Sequence, residues 1–429
     1  MSAPGIKGWC PGALRPMLSG DGYLVRLRIA GGVVSTTAAR AIADCAQTYG
    51  NGLLDLSARA NLQLRGVTQA RLPALVEALQ AHGLVDESAE AESVRNVLAS
   101  PLAGLVPDAA FDISPHVRAL EQRLASDSAL HALPSKFGFI IDDGGVLSLS
   151  CVGADIRFLA LHDQASPRFM VSLAGCDDAA VIEASALPDV AARLALAFIN
   201  EARQCETPAR RMGALVALRG AEGLWLAAGL EPNRRAPRAA TTPQVLGHHT
   251  LGAAGFLGLG FAFGRVNACD LAWLADMAQA HGSGELRLTP WRAILLPCVD
   301  ADAAQDILSQ ASAAIIADPS DARLSVIACP GAPACASATT PTHDDALALA
   351  PLARVLSPVG VALHVSGCAK GCAQPASTAV TLVARAGLYD LITQGRASDA
   401  PALQGLDRNA CAAALRAMAQ TKERALERI

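Results

Sequence analysis

From Tyr23 to Ile29 apolar and basic positions alternate, the period of a strand half-buried on a sheet. A Gly31-Gly32 turn follows. From Ser35 to Tyr49 the apolar positions then fall at helical spacing and stop at Gly50, and a short strand runs into Ser57. The same order returns later in the chain. Phe256 to Phe263 is strand-like with Gly264 at the turn, Leu271 to Ala280 is helical, and Glu285 to Leu296 is strand-like around Pro290. Gly50-Asn51-Gly52-Leu53-Leu54-Asp55-Leu56-Ser57 lies over Gly282-Ser283-Gly284-Glu285-Leu286-Arg287-Leu288-Thr289 at an offset of 232 residues. Gly-x-Gly turns are common, so two such units can look alike by chance. Shared order, constant offset and matching helix-exit residues favour a true duplication. Each block is strand, helix, strand, one half of an α+β sandwich.

These blocks set the expected organisation: a first half-domain over 10–80, an α/β segment over 85–205, a second half-domain over 246–305 and a second α/β segment over 320–429. The stretch 206–245 between them reads as an irregular linker, with Arg210, Arg211, Arg234, Arg235 and Arg238 among Pro208, Pro232, Pro237 and Pro243. It is either a solvated basic loop or a flap that neutralises an anionic ligand.

Composition narrows the field. The 429 residues are 52% hydrophobic with net charge −4, ample for buried cores and against a dedicated nucleic-acid binder. The N-terminus lacks the apolar core of a signal peptide. Leu251 to Gly264 is too short and too glycine-rich to span a bilayer, so no membrane partner is expected and the location is expected to be cytoplasmic. Twelve cysteines in a reducing compartment point to metal binding or reactivity rather than disulfides.

Four of those cysteines are grouped. Cys329-Pro-Gly-Ala-Pro-Ala-Cys335 puts five residues between two thiols, and Cys368-Ala-Lys-Gly-Cys372 puts three between the next two. Both pairs follow apolar strand-like runs, Leu324 to Ala328 and Val361 to Val365, where a rigid scaffold presents its loops. Four thiolates suit a [4Fe-4S] cubane, and Gly331, Gly367 and Gly371 allow close backbone approach and offer amide donors to sulfur. Zinc is the rival, although structural zinc sites space their cysteines by two to four residues. Cys10, Cys45, Cys151, Cys176, Cys205, Cys269, Cys298 and Cys411 stand singly and read as small buried hydrophobes.

A second constellation is basic. On a strand, Arg59, Asn61, Gln63 and Arg65 share one face, and Arg26 and Arg28 share a face on the preceding strand. Guanidinium forks pair bidentately with carboxylates, so these residues suit a ligand rich in them. The plain alternative is a charged, solvated edge strand.

The cysteine spacing within a duplicated half-domain plan resembles the sulfite and nitrite reductase family, over about 10 to 400. The resemblance implies an α+β, pseudo-twofold fold: duplicated ferredoxin-like half-domains with two α/β sulfite/nitrite-reductase-like domains. It implies that Cys329, Cys335, Cys368 and Cys372 hold the cluster, with the last also bridging to sirohaem iron in the reductases. It implies that Arg59 and Gln63 line the macrocycle and anion site. Leu133-Pro134-Ser135-Lys136-Phe137-Gly138 resembles a Leu-Pro-Arg-Lys-Phe-Lys stretch whose lysines help bind sulfite or nitrite. Here Lys136 is kept, Ser135 replaces the arginine and Gly138 replaces the second lysine. The Cys368–Cys372 loop also lacks the usual Pro-Asn. The departures, with Trp9-Cys10-Pro11-Gly12-Ala13-Leu14-Arg15-Pro16-Met17, Ser19-Gly20-Asp21-Gly22 and Ser366-Gly367-Cys368-Ala369-Lys370-Gly371-Cys372-Ala373, resemble a branch of oxygen-dependent monooxygenases of aerobic cobalamin biosynthesis.

That branch implies precorrin-3A and dioxygen as substrates, ring hydroxylation with γ-lactone closure, and a mononuclear non-haem iron besides the cluster. Lys136 and Arg59 are then the expected catalytic residues, and Arg26, Arg28, Arg59, Asn61, Gln63, Arg65 and Lys136 the expected substrate-binding ones. The usual iron site is two His and a carboxylate. His248 and His249 are adjacent and so point to opposite faces of a strand, and His364 fits a strand core, so no triad is legible. Reducing power is expected from an electron-donor protein or an NADH-linked reductase, since no Gly-x-Gly-x-x-Gly follows a strand. The alternatives are a sirohaem sulfite or nitrite reductase and a non-catalytic tetrapyrrole carrier.

Overall fold

The computed structural model describes residues 10–162, 166–238, 240–251, 254–357 and 360–426. Trp9, the first residue of the N-terminal motif, lies outside them. At the centre are two antiparallel sheets, one of five strands and one of six, each built mostly from one repeat, the sixth strand of the second being the short Ile315–Ile316 beside Ala254–Phe261. The first runs Met17–Ser19, Gly22–Leu27, Leu62–Val67, Leu53–Leu56 and then Arg265–Asn267; the second runs Gly247–Leu251, Ala254–Phe261, Ala293–Pro297, Glu285–Leu288 and then Val33–Ser35. The last strand of each sheet is donated by the other repeat. Arg265–Asn267 pairs with Leu53–Leu56, and Val33–Ser35 pairs with Glu285–Leu288, so an exposed sheet edge is covered in each half.

The 232-residue offset survives in atomic detail. Helices Thr36–Tyr49 and Ala268–His281 occupy equivalent positions and pack against each other. The amide of Thr36 donates to Gly284 O and that of Ala268 to Gly52 O, two copies of one contact. Left-handed backbone recurs in register at Gly31 and Phe263, Gly52 and Gly284, Ala60 and Arg292, and Gly66 and Cys298. Phe263, with φ 59°, holds a conformation unusual for a bulky side chain, and its ring stacks on His343 with centroids 4.4 Å apart. Leu27, Ile42, Leu54 and Leu64 of the first repeat share one apolar core with Leu259, Leu271, Leu286 and Ile294 of the second.

Each half carries an α/β layer. The first is a six-stranded sheet. Val97–Ala99, Phe139–Asp142 and Ile156–Ala160 are parallel, and Arg168–Leu173, Asp178–Glu183 and Arg234–Arg235 continue antiparallel. Helices Ser114–Ser126 and Leu187–Arg203 pack on it. The second layer repeats the pattern. Val326–Ala328, Leu363–Ser366 and Thr378–Arg385 are parallel, followed by antiparallel Leu388–Gly395 and Leu403–Leu406.

The expectation of an irregular linker over 206–245 is corrected. That stretch holds helices Met212–Arg219 and Glu222–Ala228 and the edge strand Arg234–Arg235. Met212, Leu215, Leu224 and Trp225 are buried in the core of the first layer. Proline and arginine density obscured a short helical period. Among the described residues no helix is long and apolar enough to cross a membrane.

Candidate functional site

Strand Leu62–Val67 organises the site. Along it Leu62 and Leu64 face the core, while Gln63 and Arg65 face the other way. Gln63 Oε1 accepts from Arg26 Nε at 3.0 Å and Nη2 at 2.8 Å. Two residues on, about 7 Å along the strand, Arg65 donates to Asp21, Asp55 and the Ala334 carbonyl.

Arg59 is not on that strand. It sits in the turn Ser57–Ala60, where Ala60 is left-handed, so the expected period-two face does not include it. Its guanidinium instead lies across Gly138. A Cβ at Gly138 would be 2.3 Å from Arg59 Nη1, so any larger residue there would make the guanidinium shift. The Gly138 amide donates to Asp155 at 2.9 Å, and Asp155 also receives Arg211 Nε and the Met212 amide. Gly138 is therefore a seat for Arg59.

Arg26, Arg28 and Arg59 form the electrostatic centre. Burial lowers all three guanidiniums from their ordinary range; Arg28 falls to about 10 through burial and then the neighbouring Arg26 charge, and Arg59 is lowered further by the charge of Arg211. Among the described residues none of the three has a carboxylate in ion-pair contact. Arg28 bonds the Asn96 amide oxygen, and its Nε and Arg59 Nη1 are buried without a partner. Burying guanidinium N–H groups without an acceptor is costly, so three together are a cradle for anionic groups. The Cys10 thiol lies in hydrogen-bonding reach of Arg26. Its segment is pinned by Glu92, whose carboxylate accepts the amides of Ala13 at 2.6 Å and Leu14 at 3.2 Å. Lys136 is exposed on the turn Leu133–Gly138, which Asn96 ties down through the Ser135 carbonyl.

Three of the expected ligand-facing residues have other work. Arg65 is buried between Asp21 and Asp55 with only 2% of its side chain exposed, which leaves no fork for a ligand. Asn61 is buried and its side chain receives the Ile29 amide at 3.2 Å. Most of the Arg28 fork is inside the protein, against Asn96 and the Ser93 carbonyl. Sequence periodicity could not separate these roles, because internal and ligand-facing arginines look the same on one face.

The four cysteines come together at the strand ends of the second layer. Cys329 follows Val326–Ala328, Cys368 follows Leu363–Ser366, and the Gly367 amide donates to Cys329 Sγ at 3.1 Å. Burial, followed by the nearby thiols Cys368 and Cys329, holds the Cys372 thiol above its usual range, and Cys335 adds to this. The Cys372 sulfur thus feels the other three. Among the described residues no three His, Cys, Asp or Glu side chains converge on a single ion. A cubane gives each of four thiolates its own iron, so it does not need three donors around one ion. At the start of helix Thr342–Leu356, the Thr342 hydroxyl donates to the Cys329 carbonyl.

The sequence reading missed what anchors the first cysteine loop. The Ala334 carbonyl, next to Cys335, accepts from Ser19 Oγ at 2.5 Å, the Gly20 amide at 3.1 Å and Arg65 Nη2 at 3.3 Å. A Cβ on Gly20 would lie 2.1 Å from the Pro333 carbonyl. The Ser19-Gly20-Asp21 motif was visible in the sequence, but its partner lies more than 300 residues away.

Fold and site together are those of a protein of the nitrite/sulfite reductase type. A profile described as the nitrite/sulfite reductase ferredoxin-like half domain matches residues 15–82 and 252–314. Precorrin-3B synthase of Sinorhizobium sp is 32% identical over 398 residues, covering 92% of this chain and 84% of that protein. Ferredoxin–nitrite reductase of Synechococcus elongatus is 30% identical, covering 84% and 76%. The NirA protein of Mycobacterium tuberculosis shares the fold at a TM-score of 0.70 and 21% identity, covering 86% of this chain and 74% of that one. The chain belongs to the family that includes precorrin-3B synthase and the ferredoxin–nitrite reductases.

Proposed function

We propose that this chain converts precorrin-3A to precorrin-3B in aerobic cobalamin biosynthesis, as a monooxygenase carrying a [4Fe-4S] cluster on Cys329, Cys335, Cys368 and Cys372. The observation that carries the reading is the cradle of Arg26, Arg28 and Arg59, buried without carboxylate ion pairs at the sheet whose Arg65 reaches the Ala334 carbonyl of the first cysteine loop. A polycarboxylate tetrapyrrole supplies the anions that cradle lacks. Similarity to the Sinorhizobium protein over most of both chains supports the same choice.

In the reaction one oxygen atom of dioxygen enters the macrocycle and the other leaves as water, with two electrons and two protons from a donor. An acetate then closes a γ-lactone. When bound, the cluster supplies one-electron storage, which side chains cannot. Arg26 and Arg59 bind and orient the carboxylates, Arg28 adds its buried positive charge behind them, Gln63 holds Arg26 in place, and Lys136 offers a further cation at the rim. Asn61 and Arg65 act by positioning. The donor is an electron-donor protein or an NADH-linked reductase. Among the described residues no three metal-ligating side chains converge on one ion, and no step runs through a mononuclear iron.

The nitrite reductase reading draws on the Synechococcus relative. Small hydrated anions need several converging cations, and Gly138 supplies none at the position where the reductases resembled keep a second lysine. The anaerobically purified protein is expected to show a broad brown shoulder without sirohaem bands, and to incorporate labelled oxygen from dioxygen into its product. Bound sirohaem with nitrite turnover on the order of 1 per second would overturn the proposal.

A further inference from the structure

His364 lies in strand Leu363–Ser366, whose alternation separates two faces. Leu363 and Val365 enter the apolar core with Leu349 and Ala353 of helix Thr342–Leu356. His364 and Ser366 point to the opposite face, the one covered by the second cysteine loop. Ser366 Oγ donates to the Cys368 carbonyl at 2.7 Å. Gly371, between Cys368 and Cys372, comes so near the imidazole that a Cβ there would lie 3.7 Å from His364 Cε1.

The ring is fully buried, and neither Nδ1 nor Nε2 has a hydrogen-bond partner. Its neighbours in register are Ile327, which has no polar side chain, and Thr381, whose hydroxyl is committed to the Gly395 carbonyl at 2.9 Å. Burial lowers the imidazole to about 4, so it is neutral and carries one N–H. Buried donors in folded proteins are almost always satisfied. An orphan N–H directly beneath a loop with two of the four cysteines marks the place of an acceptor that is not a protein atom.

We infer that His364 donates its ring N–H to a sulfur of the cluster and thereby helps set the cluster's reduction potential. The inference rests on the reading that the four cysteines hold a cluster. A donor aimed at sulfur favours the more negative, reduced state, so it raises the potential. His364 is in this sense a positioning residue for charge on the cluster; it touches no substrate.

The test uses the purified, cluster-loaded full-length protein labelled with nitrogen-15 histidine. In the reduced state, pulsed paramagnetic resonance should detect one histidine nitrogen coupled to the cluster spin, and the coupling should vanish in His364→Gln. In a redox titration His364→Leu should reduce at a lower potential than the parent, with iron content unchanged. His364→Gln, which keeps an N–H donor, should recover part of the shift. If the reduced parent protein shows its cluster signal but no histidine coupling, the inference fails while the cluster reading stands. That measurement decides the matter even where His364→Leu loses iron. A parent protein without any reducible cluster would instead overturn the cluster reading, and this inference with it.

Discussion

The two α/β layers share a strand pattern and differ in how their loops are finished. In the first layer the loops after Val97–Ala99 and Phe139–Asp142 close on themselves. Buried Asp142 receives the hydroxyls of Ser100 and Ser148 and the amides of Gly144 and Leu149. Ser100 Oγ in turn takes the Asp143 amide. In the second layer the equivalent loops carry the four cysteines. Thiols are weak hydrogen-bonding partners, and among the described residues one amide, that of Gly367, bridges the loops through sulfur. Further order comes from within the layer, through the Thr342 hydroxyl on the Cys329 carbonyl and the Ser366 hydroxyl on the Cys368 carbonyl, and from outside it, through Ser19, Gly20 and Arg65 of the first half-domain. Each corner is thus also held by an arginine of a half-domain, Arg287 on the Pro101 and Ala103 carbonyls in the first and Arg65 on the Ala334 carbonyl in the second, but only in the first do buried carboxylates tie the loops to each other.

The largest effect expected from breaking this contrast comes at the cysteine corner. Cys335→Ala should abolish iron and sulfide binding, read by metal and sulfide quantitation, whereas Asp142→Asn should leave both intact. A Cys335→Ala protein with full iron content would remove the basis of the contrast. Next comes the arginine cradle. Arg59→Ala should weaken tetrapyrrole binding by about 10–100-fold, the equivalent of roughly 1.5–3 kcal/mol for a hydrogen bond to a charged group. Gly138→Ala should do much the same by displacing Arg59 from its seat, a comparison made by titrating each protein with the polycarboxylate ligand. Equal affinity in all three proteins would dissociate the cradle from binding.

Stability effects are smaller. Asp142→Asn leaves one acceptor oxygen where two now serve four donors, and should cost about 2 kcal/mol, seen as a lower urea midpoint. Ser19→Ala removes a single hydroxyl donor from the Ala334 carbonyl and should cost about 1 kcal/mol. Its sharper signature is faster loss of iron to a chelator, because it loosens the loop of Cys335 alone. Equal chelation rates would mean that the cysteine loop does not depend on its neighbour.

Much of this plan could be read from residue order. The repeated unit was legible because helix period, Gly-x-Gly exits and a constant offset are local signals, and the strands and helices fall within a few residues of their expected bounds. The four cysteines were legible from spacing. The arginines were legible only as a group. That Arg59 leaves the strand depends on the left-handed Ala60, a conformation that alanine does not advertise. The burial of Arg65 depends on Asp21 and Asp55, which come close only once the sheet forms. What lies over Gly138 was not legible, because Arg59 comes from a turn almost 80 residues earlier. The exchange of edge strands between repeats was likewise invisible, since either half could have closed its own sheet.

That exchange has a consequence in time. Asp55 meets its partner Arg265 only across 210 residues of intervening chain. At roughly 5–20 residues per second, the ribosome takes about 10–40 s to deliver the closing strand. Throughout that interval the strand Leu53–Leu56 stands as an uncapped edge, open to pairing with any other nascent chain. Crowded synthesis should therefore penalise this protein more than its finished stability suggests, and chaperone supply during translation, rather than the folded state, should limit how much of it a cell can make.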